Sequence, residues 1–365
     1  MPLKKKLKLK KKTKKQKNTK SSQNEKYEYE KGKTLEILGA IKPGLALRDI
    51  AEGMKNFYFD GKNVSTYNDK VSITHPFKTD FQSFINAEKL YKLISKLPSK
   101  KFTLNQLNET TITLKSEGVD VSLPAIIDQE VIKRISTVNK GIKKIEWKKL
   151  PSNFADCINL CSFAASSSEI ESTISCVRLT KKVCVATDAK RIAYAKLKSK
   201  IEPMFIKASE IKHLLGIKPT HYGSNKGWLF FKNEDNCVFS IRKIDGNFPK
   251  WKHHFDFDGS KVDLPKKLLN GIDLASIFTE DGSIIPLNIT IKKGVCKISV
   301  QTDGGKLNYS EPIDYNGEPI HFIVNPDFLK EMIKFDTTIT FIEGRAKLET
   351  ENFAVLTSFF SENDE

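Results

Sequence analysis

The most reactive side chains of this 365-residue chain are six cysteines, at positions 157, 161, 176, 184, 237 and 296. None forms a C-x-x-C pair, and no histidine stands at zinc-ligand spacing from a cysteine pair. Cys157 and Cys161 would share one helix face. The pattern reads as reduced, buried, small apolar side chains in a reducing compartment. His253-His254 offers two imidazoles but no third metal ligand, and reads as surface histidines near an interdomain joint. Asp256-Phe257-Asp258-Gly259 opens like a calcium-binding loop but lacks the later acidic ligands, and reads as a linker. A Gly-rich phosphate loop, an H-E-x-x-H helix and a nucleophile elbow are all missing. The residues therefore predict no catalytic constellation, no metal and no cofactor.

Lysine is the other residue type with chemistry to offer. Lys and Arg total 61 against 44 Asp and Glu, a net charge of +17. Residues 1–32 hold 13 Lys and 3 Glu, so +10 of that charge sits in a tail and +7 in the remainder. The tail is rich in Gln, Asn, Ser and Thr. It has too little apolar surface to offset its ordering entropy, which predicts disorder. It reads as a phosphate-binding arm, a localisation signal or a solubilising extension. Leu3, Leu7 and Leu9 are too few for a membrane anchor. No apolar run is long enough to span a bilayer, and no signal-peptide h-region precedes the lysines. These features exclude a membrane channel, a collagen and a disulfide-stapled mini-protein.

The elements that would position these lysines repeat. Phe84–Ile94, Phe205–Leu215 and Ile323–Ile333 read alike, at offsets of 121 and 118 residues. Each is a strand end, a polar cap and a helix whose apolar stripe is Leu90/Leu93/Ile94, Ile211/Leu214/Leu215 or Leu329/Met332/Ile333. Pro326 suits a first helical turn capped by Asn325. Alternating strands flank each copy, and each opens with a helix: Asn153–Ala165, Pro265–Phe278 and a short Leu35–Ile41 stopped by Pro43-Gly44. The fold class is therefore α+β, in three pseudo-repeated domains of about 110 residues. They are expected at 33–141, 142–259 and 260–365, after a tail at 1–32.

Opposite the apolar stripes lie Lys89, Lys92 and Lys96, then Lys207 and Lys212, then Lys330 and Lys334. Residues three and four apart share a helix face. Lysine on the wet side of a helix is ordinary, and Glu88, Glu210 and Glu331 dilute the charge. Recurrence in three copies favours a surface for a phosphate backbone, bound without reading sequence.

Three motifs carry a resemblance. Thr187-Asp188-Ala189-Lys190-Arg191-Ile192-Ala193 resembles the T-D-G-H-R-L-A segment of bacterial DNA polymerase III beta sliding clamps. Ile244-Asp245-Gly246-Asn247-Phe248-Pro249-Lys250-Trp251 resembles their I-D-G-x-F-P-D-Y segment, and Val324-Asn325-Pro326-Asp327-Phe328-Leu329 their F-N-P-x-Y-L segment. The match runs from about Lys33 to Phe360. It implies a non-enzymatic accessory subunit of DNA replication, cytoplasmic in a bacterial or phage-infected cell. Such a clamp is a homodimeric ring around double-stranded DNA, with helices lining the pore and sheets outside, loaded by a clamp loader and tethering a DNA polymerase.

The resemblance adds Lys42, Arg48, Lys266 and Lys267 to the seven helix lysines as DNA-facing candidates. It places a partner-peptide cleft at Ile174, Thr187, Lys190, Arg191, Ile192, Pro249, Val355 and Leu356. Val119 and Val121 lie on an alternating strand that reads as a sheet edge. Ile277 and Phe278 match the family's interface, so these four are expected where two chains meet. This sequence departs from the family at Ala189 for Gly and Lys190 for His, at Thr357-Ser358-Phe359-Phe360 near its end, and in its tail. The divergence suggests a phage-type member. The alternative is a ring-free basic nucleic-acid-binding protein acting through the Lys-rich tail.

Overall fold

The structure, a computed structural model, describes residues 27–47, 52–168, 173–278 and 285–360. Seven α-helices lie among the described residues: α1 Lys31–Ile41, α2 Ala87–Lys96, α3 Gln129–Ile142, α4 Phe154–Ser162, α5 Ala208–Gly216, α6 Leu268–Ala275 and α7 Pro326–Phe335. Side-chain caps start three of them. Asn86 accepts from the Lys89 amide, Asp128 from those of Glu130 and Val131, and Asn325 from that of Asp327, with Pro326 in the first turn. Such a cap is worth about 1 kcal/mol.

The strands form four antiparallel sheets, none closed on itself. The first is four-stranded: Glu28–Glu30, Lys101–Asn108, Thr111–Ser116 and Val119–Pro124 in spatial order. The second has eight strands, in the order Gln82–Asn86, Asn56–Asp60, Asn63–Tyr67, Val71–Pro76, Val238–Arg242, Trp228–Lys232, His221–Ser224 and Lys148–Lys149. The third has six: Cys176–Thr187, Arg191–Lys207, Phe353–Ser358, Arg345–Glu349, Thr338–Ile342 and Ser260–Asp263. The fourth has four: Gly305–Pro312, Val295–Thr302, Leu287–Lys292 and Ile320–Val324.

Strand alternation sends side chains to opposite faces. On the eight-stranded sheet, Phe57, Phe59, Phe231 and Phe239 enter the main core, while Tyr58, Phe230 and Val238 face a second one. The six helices other than α3 bury their stripes in the main core, including Leu90 and Ile94 of α2, Ile211 and Leu214 of α5, and Leu329, Met332 and Ile333 of α7. Burying one such side chain contributes about 1.5–3 kcal/mol. These helices pack in pairs, α1 on α2, α4 on α5 and α6 on α7. They line one side of the sheets. Helix α3 lies alone on the other, with Val131, Ile135 and Val138 against Tyr58, Trp228 and Phe230.

Three local expectations are corrected. Residues 28–32 are ordered, as strand and first helical turn, because Tyr29 stacks on Phe77 at 4.8 Å and donates to the Lys78 carbonyl at 2.8 Å. Residues 1–26 lie outside the described residues. Helix α1 is not short; it begins at Lys31, directly after that strand, and ends in a 3-10 turn at Lys42–Gly44. The alternating strands before the second repeated helix lengthen into one hairpin, Cys176–Thr187 with Arg191–Lys207, whose register shifts on either side of Lys181.

Candidate functional site

Helix α2 exposes Lys89, Lys92 and Lys96. Lys92 pairs with Glu88, one turn earlier. On the second copy Lys212 is exposed, whereas Lys207 is half-buried and donates to Ser175 Oγ at 2.7 Å. On α7, Lys330 pairs with Asp273 of α6 and Lys334 with Glu331 at 2.8 Å. Lys42 stands 3.2 Å from the centre of the Tyr91 ring, and burial there lowers its pKa. Lys266 and Lys267 precede α6 and are exposed. Arg48 lies outside the described residues. Among the described residues, Lys89, Lys96, Lys212, Lys266 and Lys267 therefore carry exposed charges without an ion pair.

Of the expected cleft residues, Thr187, Lys190, Arg191 and Ile192 lie on or beside one hairpin turn, with Val355 and Leu356 on the neighbouring strand. Thr187 Oγ1 donates to the Arg191 carbonyl at 2.7 Å and accepts from the Ala189 amide at 3.1 Å. Asp188 Oδ1 accepts from the amides of Lys190 and Arg191, and its Oδ2 pairs with Arg191 Nε at 2.8 Å. The turn forces Ala189 to φ 73°, the left-handed region where glycine is at ease and an L residue is strained.

The turn is stitched to the strand from the far end of the chain, with Arg191 opposite Thr357 and Ile192 opposite Leu356. Ile192 and Leu356 face outward, away from the helices, and pack with Phe248, Phe255 and Ala354. Pro249 follows Phe248 and is exposed. Ile174 is buried; its neighbour Thr173 lies so close to Gly246 that a β-carbon there would fall 2.5 Å from its Cγ2. Val355 is not part of this floor: it pairs with Ala193 and faces the main core, because successive strand residues alternate.

Arg191 is committed elsewhere. Its guanidinium sits 4.2 Å from the Phe328 ring of α7 and 5.4 Å from Phe163 at the end of α4. Sequence spacing gives no hint of this clamp, since its rings come from positions 163 and 328. Beyond Ile192 the floor continues into a cavity of about 760 Å³ walled by Tyr194, Trp251, Phe255 and Phe257. Trp251 falls inside one of the three motifs; its partner Tyr194, 5.0 Å away, does not.

Of the four residues expected at a chain–chain contact, two lie on an outermost strand and two on a turn beside another outermost strand. Val119 and Val121 belong to the outermost strand of the first sheet, Val119–Pro124. Ile277, 74% exposed, and Phe278 form a 3-10 turn after α6. Phe278 lies against Gly305, where a β-carbon would come 3.1 Å from the ring, and Gly305–Pro312 is an outermost strand of the fourth sheet. Val119, Val121, Leu307, Tyr309 and Phe278 are all half-buried at these edges.

All six cysteines are buried and unbridged. Burial pushes the Cys176 thiol up to about 11 and those of Cys237 and Cys296 to about 12, away from reactive thiolate at neutral pH. Among the described residues no three His, Cys, Asp or Glu side chains converge as metal ligands; the His253 and His254 rings lie 4.0 Å apart, tilted by 38°. No described helix is long and apolar enough to cross a membrane.

No protein-family model and no curated protein sequence matches the chain. Solved structures do. A DNA polymerase III beta chain from Streptococcus pneumoniae TIGR4 superposes with a TM-score of 0.76 at 18% identity, over 92% of this chain and 99% of that one. A DNA polymerase sliding clamp from Bacillus subtilis gives 0.75 at 17% identity over the same shares. A sliding clamp (DNA polymerase III subunit beta) from Bartonella birtlesii, bound to griselimycin, gives 0.78 at 15% identity, again over 92% and 99%. The chain has the fold of the DNA polymerase III beta sliding clamps across nearly its whole length.

Proposed function

We propose that this chain is a DNA sliding clamp: two copies close head to tail into a ring around duplex DNA and hold a DNA polymerase on it, without catalysis of their own. One observation carries the reading, a correspondence between joined and free sheet edges. Within the chain, Val71–Pro76 ends a four-strand row and pairs with Val238–Arg242, with Ile73 opposite Phe239. Gly305–Pro312 ends the equivalent row of the fourth sheet, and Val119–Pro124 is the counterpart of Val238–Arg242 in the first, yet neither has an outer partner among the described residues.

A second copy satisfies both edges, turning two four-stranded sheets into an eight-stranded one like that at the internal junction. An unpaired edge invites pairing. A head-to-tail contact that closes after two copies leaves neither of these two edges exposed. Val119 and Val121 then meet Leu307 and Tyr309, with Ile277 and Phe278 alongside. The three units of each chain become six around the ring. The helices turn inward, presenting Lys89, Lys96, Lys212, Lys266 and Lys267 to phosphates, with Lys92, Lys207, Lys330 and Lys334 held by nearby acceptors. Enclosure holds the DNA, so each charge contact can stay weak and mobile.

On the outer face, Ile192, Leu356, Pro249 and Ile174 receive an apolar segment of the polymerase or of the clamp loader, as a few anchors in a cleft can dominate binding. Ring formation is tested by native mass spectrometry at micromolar concentration. We expect a dimer of twice the 41.4 kDa chain mass; a clean monomer would reject the ring.

A further inference from the structure

We infer that the outer cleft selects an acidic peptide: an apolar anchor flanked by Asp or Glu on the side that meets Lys190 and Lys250. The inference rests on the clamp reading of that cleft and specifies the chemistry of its partner.

Two positions in the three motifs carry the argument. Where the resembling segments have His and Asp, this chain has Lys190 and Lys250. Both lysines are exposed. Lys190 sits on the turn stitched to the last strand, its backbone carbonyl accepting from the Ser358 amide at 2.8 Å. Its ammonium lies 5.3 Å from the centre of the Phe360 ring. Lys250 lies on the loop that lays Phe248 against the Ile192 and Leu356 cluster and Trp251 against Tyr194. Both lysines therefore belong to segments that border one apolar floor.

Among the described residues, no acid pairs with Lys190 or Lys250. Asp188 is spent on Arg191 and on two turn amides, and Asp245 lies 3.5 Å from Lys243. At the far end, beyond Tyr194 and Trp251, Asp256 and Asp258 share the cavity wall with Lys196 and Lys347, so charge there is mixed. Positive charge therefore borders the floor at Lys190 and Lys250 and continues past Trp251, where Arg178, Lys181, Lys182, Lys200 and Lys252 line a neighbouring pocket. Charge complementarity of this kind steers association and rejects like-charged partners.

The test uses fluorescence anisotropy with the full chain and two labelled synthetic peptides. Both share an Ala-Leu-Ala-Leu-Phe anchor, one preceded by Asp-Asp and the other by Lys-Lys. We expect the acidic peptide to bind at least tenfold tighter at 50 mM salt, with the gap narrowing as salt rises. The double variant Lys190→Glu and Lys250→Glu, whose fold is checked by its melting curve, should reverse the preference. Equal binding of both peptides would overturn this inference while leaving the cleft intact. Failure of both peptides to bind would reject the cleft reading and the inference together. If deleting residues 361–365 (Ser-Glu-Asn-Asp-Glu) raised the affinity of both peptides alike, the occupant would be the chain's own acidic end, which also overturns the inference.

Discussion

Two side chains at the hairpin turn make opposite contributions to stability, and each can be measured. Ala189 holds φ 73°, so Ala189→Gly should raise stability by about 1 kcal/mol, read as a higher denaturant midpoint at unchanged slope. An unchanged or lower midpoint would mean that the turn relaxes in solution. Arg191 joins the ends of α4 and α7 through Phe163 and Phe328 and pairs with Asp188. Arg191→Ala should cost about 1–3 kcal/mol, and Arg191→Lys should recover only part of it, since an ammonium cannot stack as a planar guanidinium does. Full rescue by Lys would show that charge alone matters. Spacing alone could not reveal this role: Arg191 reads as a cleft residue in its motif, and only tertiary packing brings positions 163 and 328 to it.

At the scale of elements, the free edges make the sharpest prediction. Val121→Lys places a charge on the outermost strand of the first sheet, where Val121 is only half-buried in the single chain. The melting temperature of the monomer should hardly move, while the dimer dissociation constant measured by sedimentation velocity should rise at least tenfold. Unaltered association would put the dimer interface elsewhere. Helix α2 gives a second test. Replacing Lys89 and Lys96 with Ala should lower the salt-dependence slope of DNA binding by about 0.9 for each phosphate that is no longer neutralised. An unchanged slope would remove this face from the DNA path.

The repeat of cap, stripe and strand was legible in the sequence because each copy must bury the same helix face on a sheet, and that requirement fixes spacing. Helix α3 was not. Its stripe of Val131, Ile135 and Val138 has no counterpart in the other copies, and its neighbours Trp228 and Phe230 lie about a hundred positions away. The edges were half legible. Alternation marked Val119 and Val121, but which strand ends a sheet is decided by pairing across the whole chain.

At the scale of the molecule, charge and enclosure make different claims. The tail segment 1–26 holds 12 Lys against one Glu, enough to bind any polyanion. A chain lacking it should bind open DNA more weakly, with a shallower salt slope, yet remain on closed DNA if enclosure is what holds it. The most direct measurement loads the protein on nicked circular DNA, raises the salt, and compares retention before and after the circle is cut. A ring stays on the circle at high salt and runs off once an end is available. Equal dissociation from circular and linear DNA as salt rises would contradict the clamp and leave a basic protein that binds by charge alone.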